Sequence, residues 1–228
     1  MVTPTAAIIP AYDAEPTIGD VVLSLAACWR NDGPVNPILV VDDGSRDDTA
    51  RIARQAGADV IRHAVNRGKG AALRTGMRAA LERGFACAVT VDADGQHPAE
   101  EAARLAALDV DPHALVLGVR DMISAGAPNA NIASNRISNF WMSIFTGRPL
   151  ADTQCGLRRY PLRDTLALDP RDDGYAFEAE VILLAIRAGL PVVQVPVRVV
   201  YGDHRSTHFH VVRDPARIVV RVLRTLAR

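Results

Sequence analysis

The chain has 228 residues, of which 49% are hydrophobic and 23% are charged, and this composition is typical of a globular domain. Its 26 basic residues balance its 26 acidic ones, so charge gives no reason to expect a nucleic-acid partner. Three well-separated cysteines, Cys28, Cys87 and Cys155, lack the spacing of a zinc site and fit a reduced cytoplasmic setting.

The first half of the chain alternates strand-like and helix-like segments. Short apolar runs predict strands at 6–9, 38–41, 59–63, 86–91 and 115–119. Helical patterns lie between them at 17–29, 47–56, 71–83 and from Pro98 onwards, with Ser45 as a candidate N-cap of the second helix. Continuous apolar strands alternating with helices predict a parallel sheet covered on both faces.

The second half is less regular. We expect helices at 131–146 and 176–188, a polar turn at 152–156, a strand at 192–200, and a basic helix from about Pro215. The absence of a linker-like segment favours one domain over residues 1–228, with halves at 1–120 and 121–228.

Two aspartates follow the fourth predicted strand. Asp92 and Asp94 are two residues apart, so on an extended chain their side chains point to the same face. Converging carboxylates suit a hard divalent cation such as Mg²⁺ or Mn²⁺ that takes its other ligands from a substrate. The alternative is an ordinary strand-to-loop turn, where Asp and Gly are common.

Polar clusters also follow the first two strands, at 12–15 and 42–43. In a parallel sheet, these positions and Asp92 lie at the same edge, beyond the carboxyl ends of the strands, where ligands bind. The sequence therefore predicts a ligand site at this edge.

These segments together resemble family 2 glycosyltransferases of the GT-A fold, which is an α/β, Rossmann-like fold with a mostly parallel sheet flanked by helices. The resemblance rests on IPAYDAE at 9–15, VVDDGSRDDT at 40–49, NRGKG at 66–70 and DADGQH at 92–97. DTQCGLR at 152–158 and FEAE at 177–180 resemble the polyprenyl-phosphate branch, which includes dolichyl-phosphate mannose and glucose synthases.

The resemblance implies roles for residues of the first half, which would bind the nucleotide sugar. Asp42 would hydrogen-bond the base, and Asp92 and Asp94 would hold Mg²⁺ or Mn²⁺ against the donor diphosphate, with Gln96 close by. The residues that would line the base and ribose pocket are Pro10, Ala11, Tyr12 and Glu15. Asp13 and Ala14 depart from the commoner Asn-Glu form, which leaves the identity of the base open.

Lys69 has two interpretations. The Gly-Lys-Gly segment 68–70 at a helix start could bind phosphate through backbone N–H groups, although it is not a Walker A motif. It could equally be a structural loop with a solvated lysine.

The second half would bind the acceptor. A hydroxyl acceptor needs a general base, whereas a phosphate monoester is already ionised and needs mainly positive charge. Guanidinium groups bind phosphate bidentately, and the candidates for such a clamp are Arg120, Arg136, Arg158 and Arg205. Asp152 is the candidate for orienting the acceptor or acting as base. Glu178 and Glu180 are weaker, since on a helix at most one of them faces the site.

Two segments could contact a membrane. Ile137, Phe140, Trp141, Ile144 and Phe145 share one helix face, and the predicted C-terminal helix carries a stripe of arginines. The alternative for each helix is ordinary core packing. His204, His208 and His210 match no standard zinc spacing.

The expected function is metal-dependent, inverting transfer of a hexose from a nucleotide sugar of the UDP-glucose or GDP-mannose type. The expected acceptor is a polyprenyl phosphate, with the protein peripheral on the cytosolic membrane face. One alternative keeps the donor but uses a soluble hydroxyl acceptor, such as a sugar or glycerate derivative. A sugar-1-phosphate nucleotidyltransferase is disfavoured because no glycine-rich signature follows the first strand, and a non-enzymatic protein is disfavoured by the intact Asp92 and Asp94.

Overall fold

The computed structural model describes residues 3–29 and 37–201, which form seven strands and seven helices. The strands are β1 (Thr5–Ala11), β2 (Ile38–Asp42), β3 (Asp59–Arg62), β4 (Cys87–Thr90), β5 (Leu115–Arg120), β6 (Arg158–Pro161) and β7 (Val192–Val197). The helices are α1 (Glu15–Cys28), α2 (Thr49–Gln55), α3 (Lys69–Glu82), α4 (Ala99–Ala106), α5 (Asn129–Thr146), α6 (Leu162–Ala167) and α7 (Phe177–Arg187).

The strands form one sheet in the order β3-β2-β1-β4-β6-β5-β7. β1 pairs in parallel with β2 and β4, β2 with β3, and β5 with β7, so the predicted parallel sheet is confirmed for these strands. β6 is antiparallel to both β4 and β5.

Two apolar layers cover the faces of the sheet. Alternate residues of β1 point to opposite layers: Ile8 packs with Leu73 and Met77 of α3, and Ile9 packs in the layer that contains Ile18 of α1. Burial on both faces explains why this strand is an unbroken apolar run in the sequence.

The sequence did not predict β6 and α6. β6 has the sequence Arg-Arg-Tyr-Pro, which does not read as a buried strand, yet Arg158 and Arg159 are almost fully buried. The predicted N-cap of α2 was also wrong, because Asp48 occupies that position and Ser45 instead accepts a hydrogen bond from the Asp13 N–H (3.0 Å).

Side-chain hydrogen bonds join the loop after β1 to the loop after β2. The Ala14 N–H donates to Thr49 Oγ1 (2.8 Å), and the Glu15 N–H donates to Asp47 Oδ2 (3.0 Å). Asp13 has a left-handed φ of 47°, which a short acid tolerates, and its carboxylate accepts from the Arg46 N–H (2.7 Å). These bonds fix the sheet edge at which the predicted ligand site lies.

Some predictions fall outside the described residues, namely the basic helix from Pro215, the three C-terminal histidines and Arg205. Among the described helices, none combines the length and apolar character needed to cross a bilayer.

Candidate active site

A cavity of about 380 Å³ lies at the carboxyl ends of β1, β2, β4 and β5. This is the edge at which the sequence predicts a ligand site. The predicted site residues that line the cavity are Pro10, Ala11, Tyr12, Lys69, Asp92, Asp94, Gln96, Arg120 and Glu178.

Lys69 is the cation at the centre of one wall. Its Nζ lies 2.7 Å from Asp92 Oδ1 and 3.3 Å from Glu178 Oε1, and its side chain is only 16% exposed. The ammonium also lies 5.9 Å from the centroid of the Tyr175 ring. The interpretation of Lys69 as a solvated loop lysine is therefore wrong.

Asp43 organises the backbone that precedes α3. Its carboxylate accepts from the Arg67 N–H (3.0 Å) and the Gly68 N–H (2.7 Å), and it pairs with His63 Nδ1 (2.6 Å). The Ala71 N–H donates to the Asp173 carbonyl (3.2 Å). These three N–H groups therefore have partners within the protein, and Lys69 reaches the cavity through its side chain.

The acidic pair has the chemistry of a divalent-cation site. Burial raises the pKa of Asp94 to about 6, and the nearby carboxylate of Asp92 adds to the shift. Burial also acts to raise the pKa of Asp92, but the Lys69 ammonium outweighs it and keeps that pKa below its ordinary value. Hard oxygen donors that repel each other in a partly buried wall fit Mg²⁺ or Mn²⁺. No group of three or more His, Cys, Asp or Glu suited to a metal occurs in the described ranges.

Gly156 lies directly against the carboxylate of Asp92. A β-carbon at this position would lie 2.6 Å from Asp92 Cγ, which is closer than real β-carbons approach other atoms. The Gly156 carbonyl accepts from Thr90 Oγ1 (2.6 Å), which ties this loop to β4. The structure therefore leaves room for the Asp92 carboxylate only because residue 156 lacks a side chain.

Arg120 and Asp152 form a bidentate ion pair beside the acidic wall. Arg120 Nε lies 2.7 Å and Nη2 3.0 Å from the two oxygens of Asp152, whose side chain is fully buried. The Arg120 N–H also donates to Asp152 Oδ2 (3.2 Å). Arg120 lines the cavity. The two hydrogen bonds to Asp152 therefore fix the plane of a guanidinium group that borders the cavity.

Arg158 does not lie where the phosphate-clamp interpretation requires. It is fully buried and donates to the carbonyls of Thr153, Cys155 and Glu178 at 2.7–2.8 Å, so it holds the cavity wall together instead of facing a ligand. Arg136 lies on an exposed part of α5 and does not line the cavity in the described chain.

Asp42 and Glu15 also lie outside the cavity lining among the described residues. Asp42 is fully buried, accepts from the Ser45 N–H (2.9 Å) and pairs with Arg62 (3.0 Å). Glu15 is exposed and accepts from the Asp48 N–H (3.1 Å). Both residues support the loops around the cavity, because their carboxylates cap backbone N–H groups of the loop after β2.

Only one of the two glutamates of α7 faces the cavity, as helix geometry predicts. Glu178 faces the cavity and Lys69, whereas Glu180 is buried and accepts from the Arg171 (2.9 Å) and Asp172 (2.7 Å) N–H groups. The sequence analysis gave no individual role to several residues of the lining, although the first five lie within its motifs: Asp43, Asn66, His97, Thr153, Gln154, Tyr175 and Tyr201.

Comparison with known proteins identifies the family of this chain. The family model described as Glycosyl transferase family 2 matches residues 6–161, a span that runs from the second residue of β1 to the end of β6 and includes the acidic pair. The chain belongs to glycosyltransferase family 2. It is therefore an enzyme that transfers a glycosyl group, and the nucleotidyltransferase and non-enzymatic alternatives are set aside.

Relatives of this glycosyltransferase include enzymes named for lipid-phosphate acceptors. Polyprenol monophosphomannose synthase of Mycolicibacterium smegmatis is 34% identical over 210 residues, which cover 85% of this chain and 76% of the relative. Undecaprenyl-phosphate mannosyltransferase of Micrococcus luteus is 31% identical over 201 residues, which cover 83% and 81%.

Solved structures agree with the GT-A fold. Glucosyl-3-phosphoglycerate synthase of Mycobacterium tuberculosis, crystallised with Mn²⁺, UDP and glucosyl-3-phosphoglycerate, superposes with a TM-score of 0.69 at 23% identity, covering 98% of this chain and 78% of that one. Another structure of that enzyme contains Mg²⁺ and UDP.

Proposed function

We propose that this family 2 glycosyltransferase moves a hexose from a nucleoside diphosphate sugar to a polyprenyl phosphate, with inversion and with Mg²⁺ or Mn²⁺. The proposal rests on one observation: an acidic wall and a basic wall line the same cavity. One wall carries Asp92, Asp94 and Lys69, and the other carries Arg120, held by Asp152.

The acidic wall would bind the donor. Asp92 and Asp94 would hold the divalent ion, which when bound stabilises the departing diphosphate as a Lewis acid. Lys69 is already in the cavity, and its ammonium would move from Asp92 toward a diphosphate oxygen. The segment 10–12 would contact the base and ribose, while Asp42 and Glu15 support the loops around it.

The two candidate bases argue for a phosphate acceptor. Asp152 binds Arg120 through both of its oxygens, and Glu178 shares the Lys69 ammonium with Asp92, so both carboxylates already have cationic partners. A hydroxyl nucleophile needs a base that can take its proton, whereas an ionised phosphate needs only positioning and charge neutralisation. The names of the relatives from M. luteus and M. smegmatis support the same acceptor class.

The reaction would be a single displacement. An acceptor phosphate oxygen, held by Arg120, attacks the anomeric carbon of the sugar. The bond from that carbon to the donor diphosphate breaks, and its electron pair leaves with the nucleoside diphosphate. The acceptor loses no proton, so no general base takes part, and the anomeric configuration inverts. Reaching such an acceptor would place the enzyme at the cytosolic face of the membrane.

A transfer screen tests the proposal. The purified chain is incubated with radiolabelled UDP- or GDP-hexoses, with Mg²⁺, Mn²⁺ or EDTA, and with undecaprenyl phosphate or 3-phosphoglycerate as acceptor. We expect label in the organic phase only with a divalent ion, and loss of that label in Asp94→Ala. Transfer only to the soluble acceptor would overturn the assigned acceptor, and full activity of Asp94→Ala would overturn the metal site.

A further inference from the structure

The helix α5 has its polar and apolar sides reversed relative to an ordinary amphipathic helix. Its buried residues are Ser134, Asn135, Ser138 and Met142. The large side chains of Ile137 (54% exposed), Phe140 (59%), Trp141 (41%) and Ile144 (55%) face outward. These four residues, which follow the i, i+3, i+4, i+7 spacing, are called the α5 apolar face below. Core packing, the alternative considered for this helix, therefore does not explain them.

Hydrogen bonds explain why the polar side of α5 faces inward. Gln154 Nε2 donates to Ser134 Oγ (3.2 Å), and the hydroxyls of Ser138 and Thr153 lie 2.7 Å apart. Asn139 accepts from the Thr153 N–H (2.8 Å) and donates to the Ala151 carbonyl (2.6 Å). This polar seam fixes the rotation of the helix about its axis, so the apolar face is held outward by specific contacts.

We propose that the α5 apolar face docks into the surface of an anionic phospholipid bilayer. Its aromatic side chains suit the interface: Phe140 and Trp141 pack edge to face at 5.5 Å, and Trp141 stacks on Phe145 at 5.9 Å. The charge also suits it, because residues 129–146 include no acidic side chain, while Arg136 on the helix and Arg148 just beyond it are exposed.

The helix α5 itself adjoins the candidate active site. Asn131, in the first turn of α5, lines the cavity, as do Thr153 and Gln154 of the polar seam. Docking of α5 would therefore bring the acceptor side of the cavity to the lipid surface. This inference rests on the proposed function in one respect, namely that the acceptor phosphate is carried by a lipid.

Vesicle flotation with the purified 228-residue chain tests the docking. The vesicles contain phosphatidylcholine with or without phosphatidylglycerol, and the double variant Phe140→Ser/Trp141→Ser is compared with the wild type. Leu23→Ser is the matched control, since Leu23 is a 56% exposed apolar residue on α1. We expect the wild type and Leu23→Ser to float with anionic vesicles at low salt, and the double variant to stay at the bottom. Failure of the wild type to float, or flotation of the double variant, would overturn the proposal.

Quenching of tryptophan fluorescence in the wild type provides a second readout. The chain has two tryptophans, and Trp29 is buried in the core, so brominated lipids should quench Trp141 alone. Absence of quenching would contradict docking.

Two other occupants of the α5 apolar face are distinguished in the absence of lipid. If the protein is a monomer and acrylamide does not quench Trp141, the chain covers its own α5. A dimer that the double variant dissociates would indicate a second copy. Either result would overturn the bilayer as the occupant.

Transfer assays separate this inference from the proposed function. With a short, water-soluble prenyl phosphate, the double variant should retain the wild-type rate, whereas with vesicle-borne undecaprenyl phosphate it should be slower by roughly tenfold or more. Bilayer binding without transfer to either acceptor would support the docking surface and contradict the proposed acceptor. If the wild type and the double variant transferred to both acceptors at equal rates, the docking surface would be contradicted and the proposed acceptor would be supported.

Discussion

At the scale of single residues, the Arg120–Asp152 pair shows how partners decide a role. Asp152 is a carboxylate behind Arg120 of the cavity, and a carboxylate near such a cavity is a candidate general base. Its two oxygens instead accept from the guanidinium of Arg120 and from the backbone N–H of the same residue. We therefore assign Asp152 the positioning of Arg120, since both of its oxygens are already occupied by that residue.

The variant Asp152→Asn tests this assignment. The amide keeps the shape but offers one oxygen to the guanidinium, so Arg120 is held loosely. We expect KM for the acceptor phosphate to rise by roughly 10- to 100-fold, with a smaller change in kcat and an unaltered pH profile of kcat. Donor affinity measured by calorimetry serves as the control and should not change. A collapse of kcat together with loss of the acidic limb of its pH profile would indicate a base instead.

Gly156→Ala tests the contact between residue 156 and the acidic wall. The added methyl group would overlap the Asp92 carboxylate, so either the loop or Asp92 must move. We expect Mn²⁺-dependent binding of UDP to weaken by about tenfold or more, because the carboxylate leaves its position beside Asp94. Gly174→Ala is the control, since a β-carbon there meets only Asp172 Oδ1 at 3.5 Å. Equal UDP affinity in both variants would show that Asp92 has room to adjust.

At the scale of elements, β6 is where sequence patterns were least informative. A strand that begins with two arginines reads as a surface segment, but here it lies between β4 and β5 in the middle of the sheet. Arg158 is tolerated in this position because three carbonyls, all from segments next to the cavity, accept from its guanidinium. The partners of a buried polar group are not visible in local sequence, so this strand could not be predicted.

Arg158→Met separates the structural role from substrate binding. Methionine fills part of the volume but leaves three buried carbonyls without their donor. We expect the free energy of unfolding to fall by about 2–4 kcal/mol, measured by urea denaturation. Arg136→Met, on an exposed part of α5, should leave stability nearly unchanged. If Arg158→Met kept its stability and raised only KM, Arg158 would be a ligand residue after all.

At the scale of the whole molecule, the sheet places the acidic pair and Arg120 at one edge. β1, β2 and β4 bring the first-half motifs together, and β5 brings Arg120 to the same cavity. The loops are joined to one another by side-chain hydrogen bonds, so a ligand bound at this edge contacts several elements at once. Binding there should therefore stabilise the entire fold and not only a local loop.

Thermal unfolding checks this linkage. With Mn²⁺ and UDP each far above its dissociation constant, we expect Tm to rise by several degrees, since about 2.7 kcal/mol is gained at 100 times Kd. Either component alone should give a smaller rise, because the acidic pair supplies too few ligands for the ion and repels the diphosphate without it. A full shift with UDP in the presence of EDTA would contradict a metal-bridged donor site.

The sequence by itself determined the α/β class, the parallel strands β1 to β5, the ligand edge and the acidic pair. These features can be predicted from local sequence patterns, namely apolar runs, helical spacing, and carboxylates two residues apart at the end of a strand. Only the tertiary structure decided that Lys69 meets Glu178, 109 residues away, that Asp152 holds Arg120, that Arg158 is buried, and that α5 turns its apolar face outward. The physical reason is that pairing energies depend on which groups the fold brings within hydrogen-bonding distance, and a local pattern carries no record of its distant partners.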